Sequence, residues 1–170
     1  VESNINLVEK KIGIQLSKNQ NFIEFSPLSY EYIKKISKQF GNENGGLLII
    51  DYGYLQEKMI DTLQSIKGHK KTKILNNFED SDITYNLNFK LIEKLINSVK
   101  LKSRGVTSQR NFLIKLGIMQ RAEIISKNLP FSKKADIFFR LKRLIDIKEM
   151  GELFKVMLIT NKKTNFNIGF

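Results

Sequence analysis

Asp51 is the side chain that its sequence context best places for chemistry. It follows Leu47 to Ile50, four consecutive apolar residues between Gly46 and Gly53. Such a run predicts a strand that is buried on both faces, as in the centre of a parallel sheet. Ligands of open α/β sheets bind beyond the carboxyl ends of the strands, so Asp51 could hydrogen-bond a ligand or orient a substrate cation. A carboxylate that caps the following turn is the commoner arrangement, and both interpretations stay open.

Five further polar side chains lie near predicted turns or strand starts. Asp82 and Thr84 stand two positions apart, so a strand would direct both to one face. There they would pin the preceding loop or reach into a cleft, and loop pinning is the simpler role. His69 could act as an acid or base, although a lone histidine in a basic loop is more often solvated. Gln64 and Gln109 supply hydrogen bonds and no chemistry of their own.

The composition excludes several kinds of site. The chain has no cysteine and one histidine, which excludes thiolate-bound zinc, iron–sulfur clusters, a cysteine nucleophile and a histidine-rich metal site. Walker-type glycine loops, G-x-G-x-x-G, H-E-x-x-H and the serine nucleophile elbow are also missing. No apolar run approaches the roughly 20 residues that cross a bilayer. We therefore predict no membrane span, and the absence of cysteine fits a reducing compartment.

The charge balance leaves a second class of function open. The net charge is +12, from 29 Lys and Arg against 17 Asp and Glu. An excess of this size favours an acidic partner such as nucleic acid, a membrane surface or an acidic protein. The lysines are nevertheless spread over every segment, which favours a solvated surface over a nucleic-acid patch. The alternative function is thus a non-enzymatic basic module that binds an acidic protein or nucleic acid.

The spacing of apolar residues, together with the residues that begin and end helices, predicts the elements that would position these side chains. Period-two apolar positions predict a hairpin over residues 7–25. Ser26 and Pro27 then begin a helix that Gly41 ends, and its apolar stripe is expected to comprise Leu28, Tyr32, Ile33, Ile36 and Phe40. Short strands are expected over 46–51, near 62–67 and over 83–87.

The second half of the chain is predicted to be mostly helical. Asn88 is the expected N-cap of one helix, Ser108 of the next and Ser132 of another, with a helix over about 119–128 between the last two. Residues 101–107 are expected to be extended, and 153–159 to form a last strand before a frayed tail at 161–170. The alternation of strands and helices predicts an α/β fold.

Five sequence blocks resemble the MidA-like family of S-adenosylmethionine-dependent methyltransferases. They are, in order, Gly45 to Tyr54; Asp61-Thr62-Leu63-Gln64 with His69 following; Asp82-Ile83-Thr84 leading to Phe89; Phe112-Leu113 with Leu116-Gly117-Ile118 and Arg121-Ala122; and Met150-Gly151 with Leu153-Phe154-Lys155-Val156. Each block alone is weak evidence. Their shared order over residues 22 to 160 argues against chance agreement.

The resemblance implies a fold, a cofactor and a substrate class. The fold would be a Rossmann-like class I methyltransferase sheet, of which residues 1–160 form the carboxyl-terminal half with a helical insert and 161–170 a tail. The cofactor would be S-adenosyl-L-methionine. The family's glycine-rich loop and ribose-binding acidic residue would precede this chain, so no cofactor-binding residue and no metal ligand is assigned within it. The part alone is therefore expected to be inactive.

Partners and location also follow from the resemblance. Mitochondrial members of the family are protein arginine methyltransferases needed for assembly of respiratory complex I. The implied partner is a protein substrate, with a complex I subunit as one candidate. The implied location is the cytoplasm of a bacterium, or the mitochondrial matrix of a eukaryote.

The resemblance also ranks the candidate site residues. In-line transfer of a sulfonium methyl to an arginine nitrogen needs carboxylates that hold the guanidinium and receive its proton. Asp51 is best placed to line such a cleft, with Tyr52 beside it. Asp82, Thr84 and Gln109 are second choices, and the catalytic residue itself is not assigned.

The chain departs from the family pattern at three places. Asn86-Leu87-Asn88-Phe89 stands where the family usually has His-Val-Asp-Phe, which removes a titratable pair. Ile60 stands where a glycine is usual, and the segment from Val106 to Arg110 lacks the usual Pro and Gly. These changes affect the expected loop geometry and leave the apolar strand intact.

Overall fold

The computed structural model describes residues 4–40, 45–68, 70–74, 81–164, 166 and 168–170. In these ranges the helices are α1 (Ile5–Ile12), α2 (Pro27–Phe40), α3 (Phe89–Ser98), α4 (Gln109–Lys115), α5 (Ile118–Ser126), α6 (Phe131–Ile145) and α7 (Met150–Leu153). The strands are β1 (Gly46–Tyr54), β2 (Gln64–Lys67), β3 (Lys70–Thr72), β4 (Asp82–Thr84), β5 (Leu87–Asn88), β6 (Lys102–Ser108) and β7 (Phe154–Thr160). The predicted α/β class is confirmed. No helix in the described ranges combines the length and hydropathy needed to cross a membrane.

The strands form two sheets, with orders β5-β1-β7-β6 and β3-β2-β4. The first is mixed, because β7 runs antiparallel to both β1 and β6, whereas β5 runs parallel to β1. The prediction of a parallel sheet around β1 is therefore wrong for its longest pairing. On the edge of β1 that faces away from β7, Gly53 and Tyr54 pair with β5, and Gly46 to Tyr52 have no strand partner within the described residues. We call this stretch the open edge.

Burial alternates along β1, although its sequence does not. Leu47 and Ile49 pack against the core, whereas Leu48 and Ile50 are 45% and 47% exposed. The prediction of a strand buried on both faces is therefore wrong. The reason is that the core, to which α2 and α3 contribute, lies against the face with Leu47 and Ile49, while the opposite face at Leu48 and Ile50 is left partly uncovered.

The core lies between the sheet and the helices α1, α2 and α3. Phe89 and Ile96 of α3 and Met157 and Ile159 of β7 have no exposed surface. A β-strand alternates its faces, so Met157 and Ile159 meet α3 on one side of the sheet. The face of α3 that carries Phe89 and Ile96 is therefore the one that packs on the sheet.

Three predicted helix starts are confirmed by their hydrogen bonds. Ser26 Oγ accepts from Ser29 N at 3.2 Å, Asn88 Oδ1 from Leu91 N at 3.1 Å and Ser108 Oγ from Asn111 N at 3.3 Å. Each bond satisfies a backbone donor that the first turn of a helix leaves unpaired. The predicted end of α2 at Gly41 lies outside the described residues.

The hairpin predicted for residues 7–25 is wrong. The segment instead contains α1 and an irregular stretch, and Ile12 and Leu16 carry its buried side chains. After α1 the Glu9 carboxylate accepts hydrogen bonds from the backbone nitrogens of Leu16 and Ser17, each at 2.6 Å. Apolar residues four apart fit both a strand and a helix, so the period-two signal here was ambiguous.

Helix boundaries and the chain end differ from expectation in smaller ways. Helix α6 begins at Phe131 after Pro130, so Ser132 is not its N-cap. Leu28 and Tyr32 of the predicted α2 stripe are mostly exposed. The predicted fraying of the last residues is also wrong, because the Phe170 ring lies 5.4 Å from the Phe112 ring, centroid to centroid.

Candidate functional site

A cavity of about 610 Å³ lies between α2, β1 and α3. Its size is in the range of ordinary ligand pockets. The inner wall is apolar and comes from all three elements: Ile33 and Ile36 of α2, Leu47 and Ile49 of β1, and Leu91, Ile92 and Leu95 of α3. The cavity forms because both helices pack on the core face of β1 without filling the space beside its open edge.

Polar side chains reach the cavity from the segments that begin the two helices. Glu24 and Ser26 precede or open α2, and Tyr85, Asn86 and Asn88 precede α3. The segment before α3 is tied down, because Asn86 N donates to Thr62 Oγ1 at 2.9 Å and Asn88 caps the helix. Asn86 and Asn88 are the positions at which the family resemblance expects a histidine and an aspartate. The two asparagines of this departure from the family pattern therefore both lie in the wall of this cavity.

Tyrosines contribute further polar groups. Tyr32, Tyr54 and Tyr85 all line the cavity. Tyr54 is held in place, since its phenol oxygen accepts from Ile60 N at 3.3 Å. The arrangement joins an apolar interior to aromatic rings and a few hydrogen-bonding groups, which is the usual make-up of a small-molecule or side-chain pocket.

Glu24 has an unusual electrostatic environment. The side chain is half-buried, and no hydrogen bond or ion pair to its carboxylate is formed within the described residues. Burial, together with the negative charge of Asp61, raises the pKa of the Glu24 carboxyl above its ordinary value. The described wall of the cavity contains no other charged side chain, although the chain has 29 Lys and Arg residues.

Asp51 and Tyr52 do not line this cavity. The strand continues to Tyr54, so Asp51 lies within β1 and faces Lys155 of β7 in register. Its carboxylate accepts from Tyr52 N at 2.8 Å. Tyr52 points to the opposite face, where its ring centroid lies 4.2 Å from that of Phe154.

The other predicted residues are divided between two places. Gln109 follows Ser108, which also pairs with Lys155, so it lies at the same end of the main sheet as Asp51. Its side chain is buried, and Nε2 donates to the Leu144 carbonyl at 2.9 Å. Asp82 and Thr84 belong to β4 in the second sheet, where Thr84 faces Gln64. His69 lies outside the described residues, so its expected role is neither supported nor excluded.

The structure points to residues that sequence reasoning missed. Sequence reasoning assigns Glu24 to a hairpin strand and Tyr85 to a short strand, and neither is a candidate site residue, whereas Tyr54 closes the first block of the family resemblance. The useful signal was the pair of family departures at Asn86 and Asn88, because loss of a titratable pair marks a position where chemistry is expected.

A family profile and several known proteins match most of this chain. A sequence profile of the family described as "Putative S-adenosyl-L-methionine-dependent methyltransferase" matches residues 2–107. The chain is 26% identical over 148 residues to the mitochondrial protein arginine methyltransferase NDUFAF7 of Danio rerio, and 25% identical over 153 residues to that of Xenopus tropicalis. These matches cover 87% and 89% of this chain but 35% of each relative. The chain thus spans about a third of the length of these curated relatives.

Solved structures show the same fold. An uncharacterised protein from Burkholderia thailandensis superposes with a TM-score of 0.77 at 20% identity, covering 99% of this chain and 46% of that protein. A second protein from that organism, solved with S-adenosyl-homocysteine bound, gives a TM-score of 0.69 at 22% identity, covering 84% of this chain and 38% of its own. These superpositions show that the mixed α/β fold of the chain is the Rossmann-like methyltransferase fold.

Proposed function

The chain belongs to the family of S-adenosyl-L-methionine-dependent methyltransferases, and on that premise we propose that it is part of an enzyme that methylates arginine in a protein. The observation that carries the proposal is the profile match over residues 2–107, which includes every residue that lines the cavity. Arginine as the acceptor is supported by the names of the relatives from Danio rerio and Xenopus tropicalis. S-Adenosyl-L-methionine is the cofactor of the family, and its sulfonium methyl is the group that would be transferred.

We place the main cofactor site outside these residues and the substrate side within them. Three observations support this division. The relatives are about three times as long as the part matched, at 35% coverage. The open edge of β1 leaves room for a further strand beside the cavity. Asp51, the acidic residue of β1, does not line the cavity, and its carboxylate accepts a hydrogen bond from the backbone nitrogen of Tyr52. Residues 1–160 would then belong to one methyltransferase domain, with 161–170 as its closing segment.

The contribution of this chain to catalysis would be positioning. Methyl transfer by in-line displacement requires the acceptor nitrogen to lie on the axis of the breaking bond, within about 3–3.5 Å of the carbon that it attacks. A pocket that holds the acceptor side chain in one orientation supplies that alignment. The substrate would be a protein, a subunit of respiratory complex I being one candidate, encountered in the mitochondrial matrix or the bacterial cytoplasm.

The test measures transfer of labelled methyl from S-adenosyl-L-methionine to arginine-containing peptides by the complete product of the gene. We expect labelled arginine from the complete product and none from the 170-residue chain alone. Calorimetric titration of the chain alone with the cofactor should give no binding in the micromolar range. Labelling of another residue type would overturn the arginine assignment, and micromolar binding would overturn the placement of the cofactor site.

A further inference from the structure

We infer that the cavity between α2, β1 and α3 binds the side chain of an arginine residue, with the Glu24 carboxylate as the counter-ion of its guanidinium. The inference rests on the proposed function and names where that function recognises its substrate. It concerns Glu24, Tyr54 and Tyr85 rather than Asp51 and its neighbours.

Charge is the first argument. A protein of net charge +12 repels cations over most of its surface. The cavity differs locally, because Glu24 is the charged residue of its described wall and Asp61 adds a second negative charge nearby. Lys35 does not line the cavity, although its Nζ lies 5.5 Å from the centroid of the Tyr32 ring. A cationic side chain is therefore favoured in this cavity, whereas an anionic ligand is disfavoured there.

The state of the Glu24 carboxylate is the second argument. Half-buried carboxylates normally have a cationic or hydrogen-bonding partner, because removal from water penalises the charge. The described residues provide Glu24 with no such partner. No fully buried side-chain nitrogen or oxygen atom of the described residues lacks a hydrogen bond, so the Glu24 oxygens keep exposed surface and are open to a ligand. A guanidinium would supply the missing partner through two parallel N–H···O bonds.

Shape and surface chemistry select arginine among cations. The wall beyond Glu24 is apolar, formed by residues such as Ile33, Ile49 and Ile92, and suits the alkyl stem of a long side chain. Tyr54 and Tyr85 also line the cavity, and aromatic rings are groups on which a planar cation can stack. With about 610 Å³ the cavity has room for the residues that flank the arginine.

The experiment is an NMR titration of the chain with N-acetyl-arginine amide, followed through the methyl signals of Ile33, Leu47 and Ile92. The matched probe is N-acetyl-citrulline amide, which has nearly the same shape and no charge, and N-acetyl-lysine amide is the second comparison. We expect saturable shifts from the arginine probe with a millimolar dissociation constant. Citrulline and lysine should bind at least ten-fold more weakly.

Glu24→Gln should weaken arginine binding at least ten-fold and leave the fold intact, since it keeps the shape of a side chain whose neutral form burial already favours. The matched control is Glu93→Gln. Glu93 is also half-buried and lies on α3, but it pairs with Lys90 at 3.1 Å and does not line the cavity. This control should bind arginine as the unmodified chain does.

Three outcomes would overturn the inference: equal binding of arginine and citrulline, equal binding of arginine and lysine, or unchanged binding by Glu24→Gln. The readout needs neither cofactor nor methyl transfer. Arginine binding without any methylation by the complete gene product would therefore refute the proposed function and leave this site standing, and methylated arginine without binding here would do the reverse.

Discussion

The aromatic ring of Phe89 occupies the space in which residue 53 would carry a β-carbon. A β-carbon on Gly53 would lie 2.4 Å from Phe89 Cε2 and 2.7 Å from the Leu87 carbonyl oxygen, both far inside van der Waals contact. Phe89 is fully buried at the start of α3, and Gly53 pairs with Leu87 where β1 meets β5. The glycine therefore allows α3 to pack close to β1 at one end of the cavity.

Gly53→Ala is expected to lower the free energy of unfolding by about 1–3 kcal/mol, because the ring or the strand must move to admit the methyl group. Urea denaturation followed by circular dichroism measures the change. Gly46→Ala on the same strand is the control, since its β-carbon would meet nothing closer than Leu158 Cδ1 at 3.6 Å. It should leave stability unchanged or raise it by up to about 1 kcal/mol, because a glycine weakens a strand. Equal effects of the two substitutions would contradict the packing described for Phe89.

Ile49 and Ile50 test the alternation of burial along β1. Ile49 packs on the core, so Ile49→Ala should cost about 1–3 kcal/mol of unfolding free energy through lost apolar contacts. Ile50 is 47% exposed, so Ile50→Ala should change stability by no more than about 0.5 kcal/mol. The same denaturation measurement compares them. Similar losses at both positions would restore the original prediction of a strand buried on both faces.

Glu24 should make stability depend on pH in a direction opposite to that of an ion-paired carboxylate. Burial and Asp61 raise the pKa of Glu24 in the folded chain, so the folded state holds a proton that the unfolded state releases. The stability gained from this protonation is fully present below the ordinary glutamate pKa, and it is lost as the pH rises through the raised pKa of the folded chain. Glu24→Gln, which cannot ionise, should therefore gain stability relative to the unmodified chain between pH 4 and pH 7.

The measurement for Glu24 is the difference in unfolding free energy between the two proteins at each pH. Three other carboxylates have lowered pKa values because they accept hydrogen bonds: Glu9 from Ser17, Glu31 from Lys11 and Glu57 from Lys94. Their contribution to stability is lost as the pH falls. Because both proteins contain them, their effect cancels in the difference. A difference that stays constant with pH would show that the Glu24 carboxyl is not desolvated.

Local signals in the sequence predicted local structure well. The starts of α2, α3 and α4 were predicted from Ser26, Asn88 and Ser108, because an N-cap depends on a few neighbouring residues. The α/β class followed from the order of such elements. Signals that depend on tertiary context failed, as with α1, where apolar residues four apart fitted two periodicities, and with β1, where burial depends on which elements cover each face.

The candidate site was harder to predict than the fold. Asp51 was placed at a strand end because the apolar run stops at Ile50, whereas hydrogen bonding with β7 and β5 carries β1 to Tyr54. The cavity joins residues that lie up to about seventy positions apart, from Glu24 to Leu95. No spacing in the sequence marks such a set, so a single half-buried carboxylate could be recognised only after the chain was folded.

The open edge of β1 has a consequence for how this polypeptide behaves in a cell. Among the described residues, the backbone groups of this edge have no strand partner beside the exposed side chains of Leu48 and Ile50. Such an edge can hydrogen-bond with another extended chain. While this edge is unpaired, two copies of the chain can associate through it, and such association increases with their concentration. The seven residues from Gly46 to Tyr52 are therefore the part of β1 through which association with another strand is expected.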